Sequence, residues 1–306
     1  MYNSNSVTAP DSETGSYSKN FDDLNFTDDF MFCNTLVNNP EICKELAEMI
    51  IGRKISRIVS LENQEAIQTT ADGKGVRFDV YLEGEDEICD IEMQNDINRA
   101  ELPKRSRYYQ SAIDVDQLTK GTIYQKLKKS YILFICKDKP FAGRELHKFT
   151  FRNICVQDPS LELGDETEKI FLTPAGSADD ISKEVKEFMT YVADNRATSD
   201  FAKRLDDAVE AIKNGEGWRI EYMQLKEKFD KHYNAGMAEG EKKGREEGLK
   251  EGHEVGLKEG RKEGLKEAGR KTALVMLKKG TYTHEEIAEC SGLPVSVIEE
   301  MAKENE

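Results

Sequence analysis

An α/β fold, with helices packed on a mixed sheet, is predicted by three observations. Two short stretches, 76–82 and 89–94, alternate apolar and polar residues with a period of two, as half-buried strands do. A third, Tyr131–Cys136 (YILFIC), is almost continuously apolar, as in a strand covered on both faces. Between them, residues 103–127 carry helical spacing, so the order strand–strand–helix–strand calls for a sheet with helices laid against it.

Taken in order, residues 1–20 are rich in Ser, Asn and Thr with almost no apolar content, and a disordered tail is expected. Thr27 is placed to cap a first helix carrying Phe30, Met31, Phe32 and Leu36, with Asp28 and Asp29 in its first turn. Pro40 suits the start of a second helix, Ile42, Leu46, Met49 and Ile50 form its apolar stripe, and Gly52 stands where it should stop. Residues 55–67 alternate loosely and predict a strand, and the polar segment Thr69–Gly75 predicts a turn. A long helical region opens at Pro103, with an interruption near Lys120-Gly121; Lys104, Arg107, Tyr108 and Ser111 fall on one of its faces. Residues 147–156 and 169–173 read as further strands, and helical patterns return over 181–212 and 218–233.

The stretch 77–94, RFDVYLEGEDEICDIEMQ, concentrates the chemistry. A hairpin turning at Glu85-Asp86 sets Asp79 opposite Glu92, Arg77 opposite Gln94 and Tyr81 opposite Asp90. The two-residue period then puts these six on one face and the apolar set, including Phe78, on the other. Paired carboxylates on rigid strands repel unless something positive joins them, and a hard divalent cation such as Mg²⁺ does so economically. The plain alternative is a pair of solvent-facing acids answered by Arg77 and nearby lysines.

Net charge is −15, which argues against a general nucleic-acid binder. The charge is uneven, however. Residues 1–94 hold 7 basic and 19 acidic residues, whereas residues 95–152 hold 13 and 6, a local +7 directly after the carboxylate stretch. Such a block is either a phosphate-binding surface or an ordinary solvated face. Six scattered cysteines and four dispersed histidines show neither a zinc signature nor a disulfide framework. Without an apolar run of the ~18 residues a bilayer span needs, and without the regions of a signal peptide at its N-terminus, the chain is expected to be cytoplasmic, with reduced thiols and no membrane partner.

From 236 to 264 glycine recurs every fourth residue, with Lys, Arg and Glu between. Each interior glycine costs a helix about 1 kcal/mol relative to alanine, so the pattern makes sense if small residues let a second helix approach. Self-association through this tail is the expectation, a charged linker the alternative. Because four exceeds 3.6, the stripe wraps in the right-handed sense. Residues 271–303 read as a compact helical unit similar to a helix-turn-helix, with a Thr283/Glu286 capping box. Its last helix offers Glu299, Glu300 and Glu304 rather than arginines, which favours packing or dimer contacts over base readout. The division expected is a tail at 1–20, a main domain at 21–234, a glycine-repeat helix at 235–270 and the small unit at 271–306.

RFDVY, DIEMQ, LPKRSRYYQSAID, LTKG and YILFICKDKPF, preceded by FTDDFMF and NPEICKELAEMI, together resemble the PD-(D/E)XK nuclease family transposases, also called recombination-promoting nucleases. The resemblance runs over residues 22–265 and implies a restriction-endonuclease-like sheet and a Mg²⁺-dependent DNA endonuclease, with Mn²⁺ as a substitute. It assigns the motif's first acid to Asp79 and the rest to Glu92-Met93-Gln94, with the Met93 carbonyl a further metal ligand and Gln94 where the wider superfamily has lysine. Gln94 can hold a water by hydrogen bonds but brings no charge. Arg77, Lys104 and Arg107 are candidate phosphate contacts by placement. Asp28 or Asp29 stands as a possible extra acid. The competing expectations are a catalytically weak nuclease fold acting in assembly, or a DNA-binding protein that does not cleave.

Overall fold

The computed structural model describes residues 19–63, 66–67, 75–118 and 121–304. Except for residues 19 and 20, the tail expected at 1–20 lies outside them, as do all but Gly75 of the Thr69–Gly75 turn and Lys120 of the helix interruption.

Two helices come first. α1 (Asp29–Val37) is capped at Asp28 rather than Thr27; the Asp28 carboxylate instead accepts from the Asn25 N–H and from Lys19. α2 (Pro40–Ile51) starts on its proline and ends on Gly52, whose φ of 83° is left-handed backbone that glycine adopts without strain. Strand β1 (Ile58–Asn63) follows, then two-residue strands β2 (Ala66–Ile67) and β3 (Val76–Arg77), which pair with each other. β4 (Val80–Gly84) and β5 (Glu87–Gln94) form the hairpin; α3 (Leu102–Gln117) crosses to β6 (Lys129–Cys136), and β7 (Lys148–Phe151) and β8 (Thr167–Leu172) complete the strands. The sheet has six strands in the order β1-β4-β5-β6-β8-β7, antiparallel at its edges and parallel along β5-β6-β8. The mixed sheet flanked by helices is the α/β architecture expected.

Hairpin register is as the alternation requires: Val80 pairs with Ile91, Tyr81 with Asp90 and Leu82 with Cys89. The turn works because Gly84 has no side chain. A Cβ there would lie 2.6 Å from Glu87 Oε1 and 2.7 Å from Ser56 Oγ. That space is used by Glu87, whose Oε1 accepts from both the backbone N–H and the hydroxyl of Ser56.

Burial departs from the expectation of one wet face. All eight residues of β5 are buried. Its even-numbered face is covered by α3, whose Leu102, Ala112 and Ile113 join Ile88, Ile132, Phe134 and Cys136 in one apolar cluster. On the odd face Cys89 lies close to Cys43 of α2. Phe78 is corrected as well. The chain bends at Phe78–Asp79, between β3 and β4, so Phe78 packs against Tyr81 and Tyr109 on the α3 side instead of continuing the Val80–Leu82 face.

α4 (Lys183–Asp194) and α5 (Asp200–Lys213) split the helical pattern expected over 181–212; each starts on a serine cap, Ser182 and Ser199. α6 runs without a break from Glu216 to Lys279 and so contains both the pattern at 218–233 and the glycine repeat. The chain divides into two compact units, residues 1–228 and 229–306. In the second, the end of α6 packs with α7 (His284–Ser291) and α8 (Val295–Lys303) around Ala273, Ile287, Ile298 and Met301. The Thr283/Glu286 capping box is formed, and Gly292 ends α7 with a φ of 68°.

Candidate active site

Asp79 precedes β4 and Glu92 lies near the end of β5, where two short exchanges lock them together. The Asp79 N–H donates to Glu92 Oε1 at 3.0 Å, and the Met93 N–H donates to Asp79 Oδ2 at 3.1 Å. Each carboxylate thus holds the other residue's strand, and the two acids meet as the register predicts. At the exit of β5, Asn95 donates to the Thr27 carbonyl at 2.7 Å, tying this end of the strand to the entry of α1.

Two residues back on the same face, Asp90 is fully buried, and neither of its carboxylate oxygens accepts a hydrogen bond. Its side chain meets Glu92. Burial, then the charges of Glu92 and Asp79, raise the Asp90 carboxyl far above the ordinary carboxylate range. Asp79 is raised by burial, Glu92 and Asp29, against the opposing pull of the Met93 N–H and Arg105. Glu92 is raised by burial, opposed by Arg105, the Asp79 N–H and Asp90. A third acid enters from α1: Asp29, Cys33 and Asp79 each present a ligand atom within 4.8 Å of the others.

Arg105 of α3 brings a cation to this cluster. Its Nη2 lies 2.7 Å from Glu92 Oε2, and its guanidinium sits 5.2 Å from the Tyr109 ring centroid and 5.3 Å from that of Phe134. Burial, the largest single influence, opposes its charge, but the charge and hydrogen bond of Glu92 together with Tyr109 and Asp79 raise its pKa on balance.

Other residues singled out in the sequence stand differently. Gln94 is buried, and its Nε2 donates to the Met93 carbonyl at 2.9 Å, turned onto its own strand. Arg77 does not face Gln94; it belongs to β3, opposite Ala66, and its charge acts on Cys33. Lys104 and Arg107 are exposed, with Tyr108 and Ser111, on the outer face of α3. Sequence reasoning missed Arg105 although the signal was present: Leu102, Arg105, Ser106, Tyr109, Gln110 and Ile113 recur at helical spacing and form the inward stripe of α3.

The family likeness lies in this stretch of chain. Residues 26–174 match the family model of the PD-(D/E)XK nuclease family transposases. That segment runs from the entry of α1 to just past β8 and so contains every acid of the cluster and Arg105. No curated protein and no solved structure matches the chain. This match links the chain to nucleases and mobile elements, with DNA as the partner class, and nucleases of the PD-(D/E)XK kind generally use divalent metal ions. Among the described residues, no helix is long and apolar enough to cross a membrane.

Proposed function

We propose that the cluster at the end of β5 is the active site of a metal-dependent DNA endonuclease that acts in the cytoplasm in recombination or on mobile elements. The observation that carries this reading is the interlocked pair Asp79–Glu92, set beside the buried Asp90 and the guanidinium of Arg105. The half-buried Asp79 and the buried Glu92 and Asp90 crowd three carboxyl groups together, and Asp90 has two buried oxygens without a hydrogen-bond partner. A divalent cation fits that crowding, and the all-oxygen donors of Asp79, Glu92 and the Met93 carbonyl suit Mg²⁺ or Mn²⁺. Asp29 adds a further oxygen donor beside Asp79.

When bound, such an ion supplies Lewis-acid polarisation and a more acidic water. In the hydrolysis, a water oxygen bonds to phosphorus, the phosphodiester P–O bond breaks, one proton leaves the water and one reaches the departing alkoxide. The protein's part is to place groups. Asp79 and Glu92 hold the ion through side chains fixed by each other's backbone, and Gln94 fixes the Met93 carbonyl by donating to it. The exposed Lys104 and Arg107 contact flanking phosphates, and Arg77 adds positive charge beside α1. The glycine stripe of α6 is where copies of the chain associate. A Cβ on any glycine from 236 to 264 would meet nothing within 4 Å, so the stripe is open to another helix.

Purified protein should nick plasmid DNA with Mg²⁺ or Mn²⁺ and not in EDTA, while Asp79→Asn and Glu92→Gln should be inactive. Cleavage that survives both substitutions would place the chemistry elsewhere. DNA binding without cleavage under either metal would favour the non-cleaving reading.

A further inference from the structure

We propose that Arg105 is a catalytic residue, supplying to the reacting phosphate the positive charge that Gln94 cannot. The proposal rests on the nuclease reading above and assigns a part that reading leaves open. Phosphoryl transfer spreads negative charge over the phosphate oxygens, and a fixed cation aimed at that charge stabilises the transition state without reorganising. Gln94 is neutral, and its amide is already used on the Met93 carbonyl. Arg105 reaches the same carboxylates from the helix that covers them. It bonds Glu92 at 2.7 Å, and its charge acts on Asp79 and Asp90 as well.

Three features suit it to a phosphate rather than to bracing alone. Tyr109 and Phe134 hold the guanidinium in place, so no side-chain freedom is lost when an anion arrives. The side chain keeps 29% of its surface exposed, against 1% for its partner Glu92, so it lies between the buried acids and the outside. Among the described residues the guanidinium donates one hydrogen bond, from Nη2 to Glu92; Nε is buried without a partner, which leaves the two Nη1 donors and the second Nη2 donor for a phosphate. A guanidinium with one arm on a carboxylate proposed to bind metal and its terminal nitrogens otherwise unused matches the forked geometry in which arginine recognises phosphate.

The test uses the full chain, with Arg105→Met removing the charge and Arg105→Lys keeping it. Four quantities are measured: DNA cleavage in Mn²⁺, Mn²⁺ affinity by electron paramagnetic resonance, affinity for a DNA duplex in Ca²⁺ by fluorescence anisotropy, and the thermal midpoint. The expected result for Arg105→Met is cleavage reduced by about 100-fold or more, Mn²⁺ affinity unchanged or tighter, and weaker DNA binding in Ca²⁺. Arg105→Lys should keep cleavage within about 10-fold of the wild type. Wild-type cleavage in Arg105→Met overturns the proposal. So does a loss of Mn²⁺ affinity in step with cleavage, which would make Arg105 only a brace for Glu92. If Arg105→Met does not fold, Arg105→Lys decides: inactivity with Mn²⁺ affinity intact overturns the proposal, and retained cleavage supports it. A wild-type protein that cleaves under no metal refutes the nuclease reading separately. The Ca²⁺ arm then still judges Arg105, because equal DNA affinity in wild type and Arg105→Met counts against it and weaker binding in the variant counts for it.

Discussion

At the scale of single residues, the acids around Glu92 decide how stability responds to pH. The carboxyls of Asp79, Asp90 and Glu92 are all raised in the folded protein, chiefly by burial. A raised acid binds its proton more tightly in the folded state than in the unfolded one. Its stabilising contribution is therefore complete below the unfolded pKa, about 4 for a carboxylate, and is lost as pH rises through the folded pKa. In EDTA the thermal midpoint should fall from pH 5 to pH 8, and Mg²⁺ should recover it at pH 8 and do little at pH 5; a midpoint that rises across this interval would contradict the assignment. Asp90→Asn, which removes the ionisable group and offers Glu92 an amide donor, should raise stability at pH 8 in EDTA by about 1 kcal/mol, checked by denaturant unfolding. Asp79 and Glu92 were legible because side-chain alternation on a hairpin fixes which residues meet. Arg105 was not, because the run KRSR was judged by the face that gathers most charge, Lys104 and Arg107, whereas the cation paired with Glu92 stands on the inward stripe with Leu102 and Tyr109.

Among the elements, the β4–β5 hairpin and α6 show two opposite uses of glycine. Gly84 sits where a Cβ would strike Glu87 and Ser56, so Gly84→Ala should cost about 1–3 kcal/mol by pushing Glu87 off the Ser56 N–H; unchanged stability in urea would refute that account. The glycines of α6 meet nothing, so in the free chain alanine should only help. Gly248→Ala with Gly252→Ala should raise helicity by circular dichroism, at about 1 kcal/mol per site, and should weaken self-association if another helix uses the stripe. The long elements could be read from the sequence: α2 from its proline and glycine ends, β6 from its apolar run, and the α7 cap from Thr283 and Glu286. What escaped was local. The bend at Phe78–Asp79 breaks a clean alternation and turns Phe78 to the α3 side, because that placement gives its ring Tyr81 and Tyr109 as neighbours. Thr27 lost the cap position to Asp28, one residue on, as often happens at helix ends.

For the whole molecule, the sheet matters because its parallel centre, β5-β6-β8, is covered on both sides, so acids carried on β5 are buried whatever their preference. That arrangement was not legible in the alternation alone, which shows only that one face differs from the other. In the second unit the glycines of α6 have a geometric consequence for assembly. At about 100° per residue, a step of four advances the stripe by about 40°, so the seven steps from Gly236 to Gly264 carry it through about 280°, most of the way round the helix. Any one straight neighbour lies against only two or three of its glycines before the groove turns away. If copies associate through the stripe as proposed, the valence of such a helix is greater than one. Light scattering should give a mass that rises with protein concentration past that of a dimer, as contacts distribute over several neighbours. A sharp, concentration-independent dimer would mean that only one short arc of the spiral is used.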